Sequence, residues 1–312
     1  MAKVALIFPG QGSQYVGMGK EALEKSSAAA AVFAKADKAL GLPLTQLCLE
    51  GPEEQLKLTV NTQPAILTTS VALLEWLREK QAITPAFVAG HSLGEYSALV
   101  AAGALSFEDA VVAVRARGQY MEEAVPAGVG AMAAILGMDR DKLHAICEEI
   151  SSNGTPVQLA NLNSPGQIVI SGSAEGVGAA SDEAKKQGAK RAIPLNVSGP
   201  FHSSLLQPAS EQLKSKLSGI SISDASVPVV ANVSARELTK AEDIFTSLVE
   251  QVSSPVLWED SVMYMSEQGV DTYIEVGPGT VLAGLVKKID RNAKVFSVQD
   301  EASLNKLISE WV

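Results

Sequence analysis

The stretch VAGHSLGEYSALVAAGAL, residues 88–105, puts a serine between two glycines, behind a short apolar run and ahead of a helix of small residues. Gly90-His91-Ser92-Leu93-Gly94 is G-x-S-x-G, and its surroundings predict a buried strand turning sharply into a helix. Such a turn strains the serine backbone and exposes its hydroxyl. The flanking glycines let neighbouring elements approach without a Cβ clash. Ser92 is therefore a candidate nucleophile, and the Leu93 N–H, at a helix N-terminus, is a candidate oxyanion donor. Taken alone, the five residues would also suit a small-residue turn with no chemistry.

The same strand-and-helix alternation extends outward. KVALIF (3–8) runs into the glycine-rich PGQGSQ, as a buried strand ends in a loop. Helical patterns cover 18–40, 64–80 (after NTQPA), 93–103 and 106–124, the last opening with Ser106 and Asp109 in N-cap spacing. VPVVANV (227–233) and TYIEVGP (272–278) read as further buried strands flanked by helical segments. Alternation of this kind predicts a mostly parallel sheet covered on both faces.

Between 128 and 197 the texture changes. AMAAILG, the helical MDRDKLHAICEEI, VQLANL and QIVISGS joined by NSPG, the helical GVGAASDEAKKQGA and then RAIPLNV give the order β-α-β-β-α-β. That is the ferredoxin-like arrangement. The expected organisation is a large unit, 1–127 with 198–312, and a small inserted unit, 128–197.

Composition bounds the function. The 312 residues are 46% hydrophobic and 19% charged with net charge −10, which disfavours nucleic acid and anionic membrane surfaces. Two distant cysteines, Cys48 and Cys147, match neither a disulfide framework nor a metal-ligand spacing, and no His or Cys pair suits a metal. The start of the chain lacks the apolar length of a signal peptide, and no run reaches a membrane span, so a cytoplasmic protein is expected.

A serine nucleophile needs a base. His91 adjoins Ser92 and should point away from the attack direction, while His144 sits among charges on a helix. His202, in the loop VSGPFHSS where the chain leaves the insertion, is the best candidate, though a hydrogen-bonded structural histidine would look the same. The acidic residues weighed between serine and histidine (Glu108, Asp109, Glu122, Asp139 and Asp182) all fall on helical stretches, so no third triad member is visible. FPGQGSQ fails as a dinucleotide fingerprint because Tyr15 stands where its third glycine belongs; its small residues could instead bring Gln11 to the serine. Arg117, on an otherwise apolar helix, needs a partner: an internal one, or a substrate carboxylate held in two-pronged fashion.

FPGQGSQ (8–14), NTQPA (61–65), GHSLGE (90–95), RARGQYM (115–121), NSPGQIVISG (163–172), GPFHS (199–203) and EVGPG (275–279) occur in one order. Together they resemble the malonyl-CoA:acyl carrier protein transacylases of type II fatty acid synthesis, from residue 4 to about 290. The resemblance implies an α/β-hydrolase-like unit with an inserted ferredoxin-like one and an active site between them. It implies Ser92 as nucleophile, His202 as its partner, Gln11 and Leu93 as the oxyanion hole, and Arg117 as the clamp on the malonyl carboxylate. It also assigns the main-chain carbonyl of Gln251, before PVLW, to orienting the histidine. Asn163 is implied on the coenzyme A arm, Gln63 at the substrate, and Phe201 as the wall that excludes an α-methyl branch.

The same resemblance implies malonyl-CoA as substrate and holo acyl carrier protein as partner, with no metal or redox cofactor, in a monomer. An acidic carrier protein would need local basic patches, for which Lys190 and Arg191 on the insertion and Lys287 and Lys288 on the large unit are the expected residues. A free-standing acyltransferase serving a polyketide synthase is the nearest alternative. A serine thioesterase or esterase, or a binding module, fits Arg117 and the complete motif set less well.

Overall fold

The computed structural model describes residues 2–126 and 128–311; Met1, Ala127 and Val312, which bound the ranges expected for the large unit, lie outside them. Among the described residues ten strands form two sheets: β1 (Val4–Phe8), β2 (Phe87–Gly90), β3 (Gly130–Leu136), β4 (Val157–Ser164), β5 (Gln167–Ser173), β6 (Arg191–Pro194), β7 (Val229–Val230), β8 (Glu237–Leu238), β9 (Thr272–Val276) and β10 (Lys294–Val298).

The larger sheet runs β10-β9-β1-β2-β7-β8 and is parallel except for the β7–β8 pair. Its three central strands, β9, β1 and β2, are buried along their whole length, as continuous apolar runs require when helices cover both faces. The register pairs Phe8 with Gly90 and Ile7 with Glu275, so the C-terminal ends of these strands lie side by side. They deliver PGQG, HSLG and GPG to one edge of the sheet, where open α/β sheets place their ligands. Glu275 serves that edge structurally. Its buried carboxylate accepts the N–H groups of Leu282 (3.0 Å) and Ala283 (2.7 Å), two of the orphan donors at the start of helix Val281–Ile289.

The smaller sheet is antiparallel, in the order β4-β5-β3-β6, with helices Arg140–Ser152 and Ala174–Lys186 packed on it. This is the ferredoxin-like topology expected from the sequence, and the fold class stands as read. The β4–β5 hairpin turns at Pro165-Gly166, with Gly166 at φ 70°. Two polar ties join the small sheet's segment to the large sheet's helices. Arg140 Nη1 donates to both oxygens of Asp260 (2.9 Å each), and Lys288 Nζ donates to Gln167 Oε1 (3.0 Å).

The structure corrects several sequence boundaries. The helix expected from 64 starts at Thr59 and takes in NTQPA, with Pro64 inside it. Proline lacks the N–H that would bond the Val60 carbonyl, and Arg115 Nη1 lies 3.5 Å from that free oxygen instead. The pattern over 18–40 is two helices, Lys20–Lys25 and Ser27–Leu40, because Ser26 caps the second by accepting from the Ala29 N–H. VPVVANV contributes only Val229–Val230 to the sheet, and the strand Lys294–Val298 at the sheet edge was not read from the sequence.

Candidate active site

Ser92 sits at φ 51°, a left-handed conformation that costs a non-glycine residue about 1–3 kcal/mol. Glycines make that turn possible. A Cβ on Gly90 would lie 1.9 Å from the Gly94 carbonyl carbon, and one on Gly94 would lie 2.0 Å from the Phe8 oxygen. The strained peptide is held on both sides: Asn232 Oδ1 accepts the Ser92 N–H (2.7 Å), and the Ser92 carbonyl accepts from Gln251 Nε2 (3.0 Å).

The turn brings Ser92 Oγ to 2.7 Å from His202 Nε2. His202 Nδ1 faces two carbonyl oxygens, Gln251 at 2.9 Å and Ser254 at 3.2 Å. Carbonyls only accept, so the proton sits on Nδ1 and Nε2 presents its lone pair to the serine hydroxyl. Burial first, then the Arg117 guanidinium, push the His202 pKa down to about 3, which keeps the imidazole neutral and able to take a proton. His202 also has positive φ, 58°, so both members of the pair are held in strained backbone.

Arg117 is 1% exposed. Its Nη1 donates to Gln63 Oε1 (2.9 Å), and its Nη2 donates to Ser92 Oγ (3.1 Å) and Gln251 Oε1 (2.9 Å). Its Nε is buried without an acceptor, and no carboxylate among the described residues lies within 4.0 Å. Arginine stays charged even where burial lowers its pKa, as it does here, so this is a buried cation whose hydrogen-bond partners are all neutral, with the Glu95 carboxylate acting on it from beyond 4.0 Å. Beside it opens a cavity of about 120 Å³, lined by Gln11, Ser92, Leu93, Arg117, Phe201 and His202 from the large sheet's side and by Met132, Asn161 and Leu195 from the other. A second cavity of about 230 Å³ adjoins it and shares Gln11, His91, Asn161 and Leu195; Asn163, Gln167 and Val281 also line it.

Each residue that the resemblance assigns to catalysis or substrate binding is at one of these two cavities or touches Arg117 or His202. The Leu93 and Gln11 N–H groups have no acceptor among the described residues, while the Gln11 side chain donates to Thr59 Oγ1 (3.2 Å). Asn163 accepts from His91 Nε2 (2.8 Å), and that ring packs against Trp258. His144 is exposed and pairs with Glu148. Lys190, Arg191, Lys287 and Lys288 are exposed. Arg191, Leu136 and Gln167 form one cross-strand row, so Arg191 and Lys288, which donates to Gln167, sit at the same end of the small sheet, where Gln167 lines the second cavity. Lys287 Nζ turns back onto the Ala293 carbonyl.

Sequence reading missed Asn232, Glu95, Ser254 and the side chain of Gln251. Glu95 stands in the first turn after the serine and is buried, yet it accepts from the Asn232 N–H and Gln251 Nε2 and not from His202. Burial pushes its carboxyl up to about 7. The available signal was polar residues among apolar and small ones: Asn232 within VPVVANV and Glu95 in the first turn of a small-residue helix.

The family model described as the acyl transferase domain matches residues 5–310. The chain is similar to the malonyl CoA-acyl carrier protein transacylase of Bacillus subtilis (strain 168), with 57% identity over 308 residues, 99% of this chain and 97% of the relative. Among solved structures it is similar to the malonyl CoA-acyl carrier protein transacylase from Coxiella burnetii, with TM-score 0.96 and 43% identity, covering 99% of this chain and 97% of that one. It is equally similar in fold, TM-score 0.96 with 44% identity and 99% of each chain covered, to a malonyl-transacylase solved in complex with its type II PKS acyl-carrier protein.

Proposed function

The chain belongs to the acyl transferase domain family, and we propose that it moves the malonyl group from malonyl-CoA to the phosphopantetheine thiol of acyl carrier protein, as a supplier of fatty acid elongation. The observation that carries the reading is a buried guanidinium with no carboxylate among the described residues within 4.0 Å, sharing a small cavity with a serine–histidine pair. A carboxylate-bearing acyl group supplies the missing anion; a neutral acyl group leaves the cation unmatched.

The geometry supports a two-step transfer. Ser92 Oγ attacks the thioester carbonyl and gives its proton to His202 Nε2. The developing oxyanion lies toward the Leu93 and Gln11 N–H groups, which have no other acceptor. Coenzyme A leaves as the thiol, taking the proton back from His202, and malonate remains as an ester on Ser92. The carrier-protein thiol then attacks that ester, with His202 again accepting a proton and returning it to the serine. One thioester is exchanged for another, so no metal or redox cofactor is called for. Phe201, in the cavity wall, limits room beside the malonyl α-carbon.

The test is intact-protein mass spectrometry after incubation with malonyl-CoA or acetyl-CoA, with and without holo carrier protein. Arg117→Ala is expected to slow malonyl-adduct formation by roughly 10²–10³-fold, the scale for an unpaired buried charge, while acetyl-adduct formation changes far less. Equal losses for the two acyl groups would remove the clamp role. A malonyl-adduct released as free malonate instead of passing to the carrier would make the protein a hydrolase.

The acidic carrier protein must approach a chain of net charge −10. Lys190, Arg191, Lys287 and Lys288 are the docking residues of this reading, while nearby Lys185 and Lys186 are already matched by Asp182 and Glu183. Reversal of all four to glutamate is expected to raise the carrier-protein KM by roughly tenfold or more and leave malonyl-adduct formation unchanged. Added salt should weaken the wild-type carrier reaction. An unaltered KM would place docking elsewhere. Running the assay with a fatty-acid and a polyketide carrier protein separates the two pathways, since a relative of known structure is bound to the latter kind.

A further inference from the structure

We propose that Glu95 is a positioning residue which, through Gln251 and Asn232, sets both the strained peptide of Ser92 and the orientation of Arg117; this rests on reading Arg117 as the carboxylate anchor. Glu95 is 2% exposed, and no cation among the described residues lies within 4.0 Å of it. A carboxylate so placed is costly unless its hydrogen bonds do something neutral packing cannot. Its Oε2 accepts two: the Asn232 N–H at 2.9 Å and Gln251 Nε2 at 3.0 Å. Ser247 Oγ stands 3.5 Å from Oε1.

Each partner then acts on the site. Asn232, fully buried, accepts from the Ser92 N–H and donates Nδ2 to the Gly90 carbonyl (2.7 Å), bracing the turn across two residues. Gln251, also fully buried, donates Nε2 to the Ser92 carbonyl and to Glu95, leaving Oε1 to accept from Arg117 Nη2. Its amide could be turned over in principle. That would aim its NH₂ at the guanidinium and its oxygen at two acceptors, the Ser92 carbonyl and Glu95. The two acceptors on one side therefore dictate that Gln251 shows an acceptor to Arg117. Only acceptance at Oε2 is needed, so a glutamine at position 95 would serve as well.

The role predicts an effect on acyl choice that a merely structural residue would not have. Four proteins are compared with wild type by thermal melt and by rates of malonyl- and acetyl-adduct formation: Glu95→Met, which keeps the volume and removes the acceptor, Glu95→Gln, Gln251→Ala and the double E95M/Q251A. Gln251→Ala retains the main-chain carbonyl that faces His202, so it isolates the side chain. Glu95→Met and Gln251→Ala are each expected to slow malonyl-adduct formation by roughly 10- to 100-fold and to lower the malonyl-over-acetyl ratio by roughly tenfold. The double variant should be within about threefold of the worse single one, because both act through one relay. Glu95→Gln should stay within about threefold of wild type.

An unchanged malonyl-over-acetyl ratio in Gln251→Ala or in folded Glu95→Met, multiplied losses in the double, or a Glu95→Gln protein as impaired as Glu95→Met would each overturn the proposal. If Glu95→Met does not fold, Glu95→Gln and Gln251→Ala decide by the same criteria. A wild-type protein that forms no malonyl adduct is a separate result, and overturns the reading of the function itself.

Discussion

Ser92→Ala is expected to abolish the malonyl-enzyme adduct and to lower transfer to the carrier protein by on the order of 10⁶-fold, the scale on which a serine hydrolase loses turnover with its nucleophile. The hydroxyl is the only atom removed, and two of its contacts go with it, those to His202 Nε2 and Arg117 Nη2. The hydrogen bonds that hold the turn, donated by the Ser92 N–H to Asn232 and accepted by the Ser92 carbonyl from Gln251, involve the Ser92 backbone and survive. The melt should therefore move by only a few degrees, and malonyl-CoA should still bind through Arg117. An adduct that forms at the wild-type rate on the alanine protein would place the nucleophile at another residue.

His202→Ala should slow both half-reactions by roughly 10²–10⁴-fold, the usual loss for a general base. Its effect should be equal for malonyl and acetyl groups, since the imidazole acts on the serine proton and not on the acyl tail. The pH dependence follows from its surroundings. Burial and Arg117 push its pKa to about 3, below the ordinary imidazole value, so the neutral, proton-accepting form persists as pH falls through 6.5. Adduct formation at subsaturating malonyl-CoA should thus show no acid limb centred near 6.5. The stability sign is the reverse of a favourable one. The unfolded chain binds this proton below about 6.5 and the folded chain does not, so His202 makes the fold lose stability as pH drops from 6.5 toward 3. An acid limb centred at or above 6.5 would mean that the imidazole is not held neutral.

Much of the architecture could be read along the chain because it is local. A continuous apolar run such as Val4–Phe8 is a strand wherever both faces of a sheet are covered. The Pro165-Gly166 turn between two alternating runs is a hairpin by its own backbone chemistry. The errors fell where a distant partner overrides local preference. Pro64 should mark a helix start, but Arg115 lies against the carbonyl it leaves free and the helix begins at Thr59. Lys294–Val298 carries too little pattern to announce a strand, and is one because β9 offers it a ladder.

The site divides along the same line. G-x-S-x-G singled out Ser92 as the candidate nucleophile, since strand, turn and glycine spacing are properties of consecutive residues. With only three histidines in the chain, elimination made His202 the best candidate for the base. Arg117 was conspicuous because a charge in an apolar helix needs a partner. What the chain could not state was how these groups are held. Asn232 meets Ser92 across 140 residues, Gln251 meets Glu95 across 156, and His202 faces carbonyls 49 and 52 positions away. A hydrogen bond needs its partners within about 3 Å and roughly in line. Sequence determines which groups can donate and accept; only the packed tertiary structure decides which of them come within that distance, and so that a glutamine and an asparagine hold Ser92 while no carboxylate among the described residues holds His202.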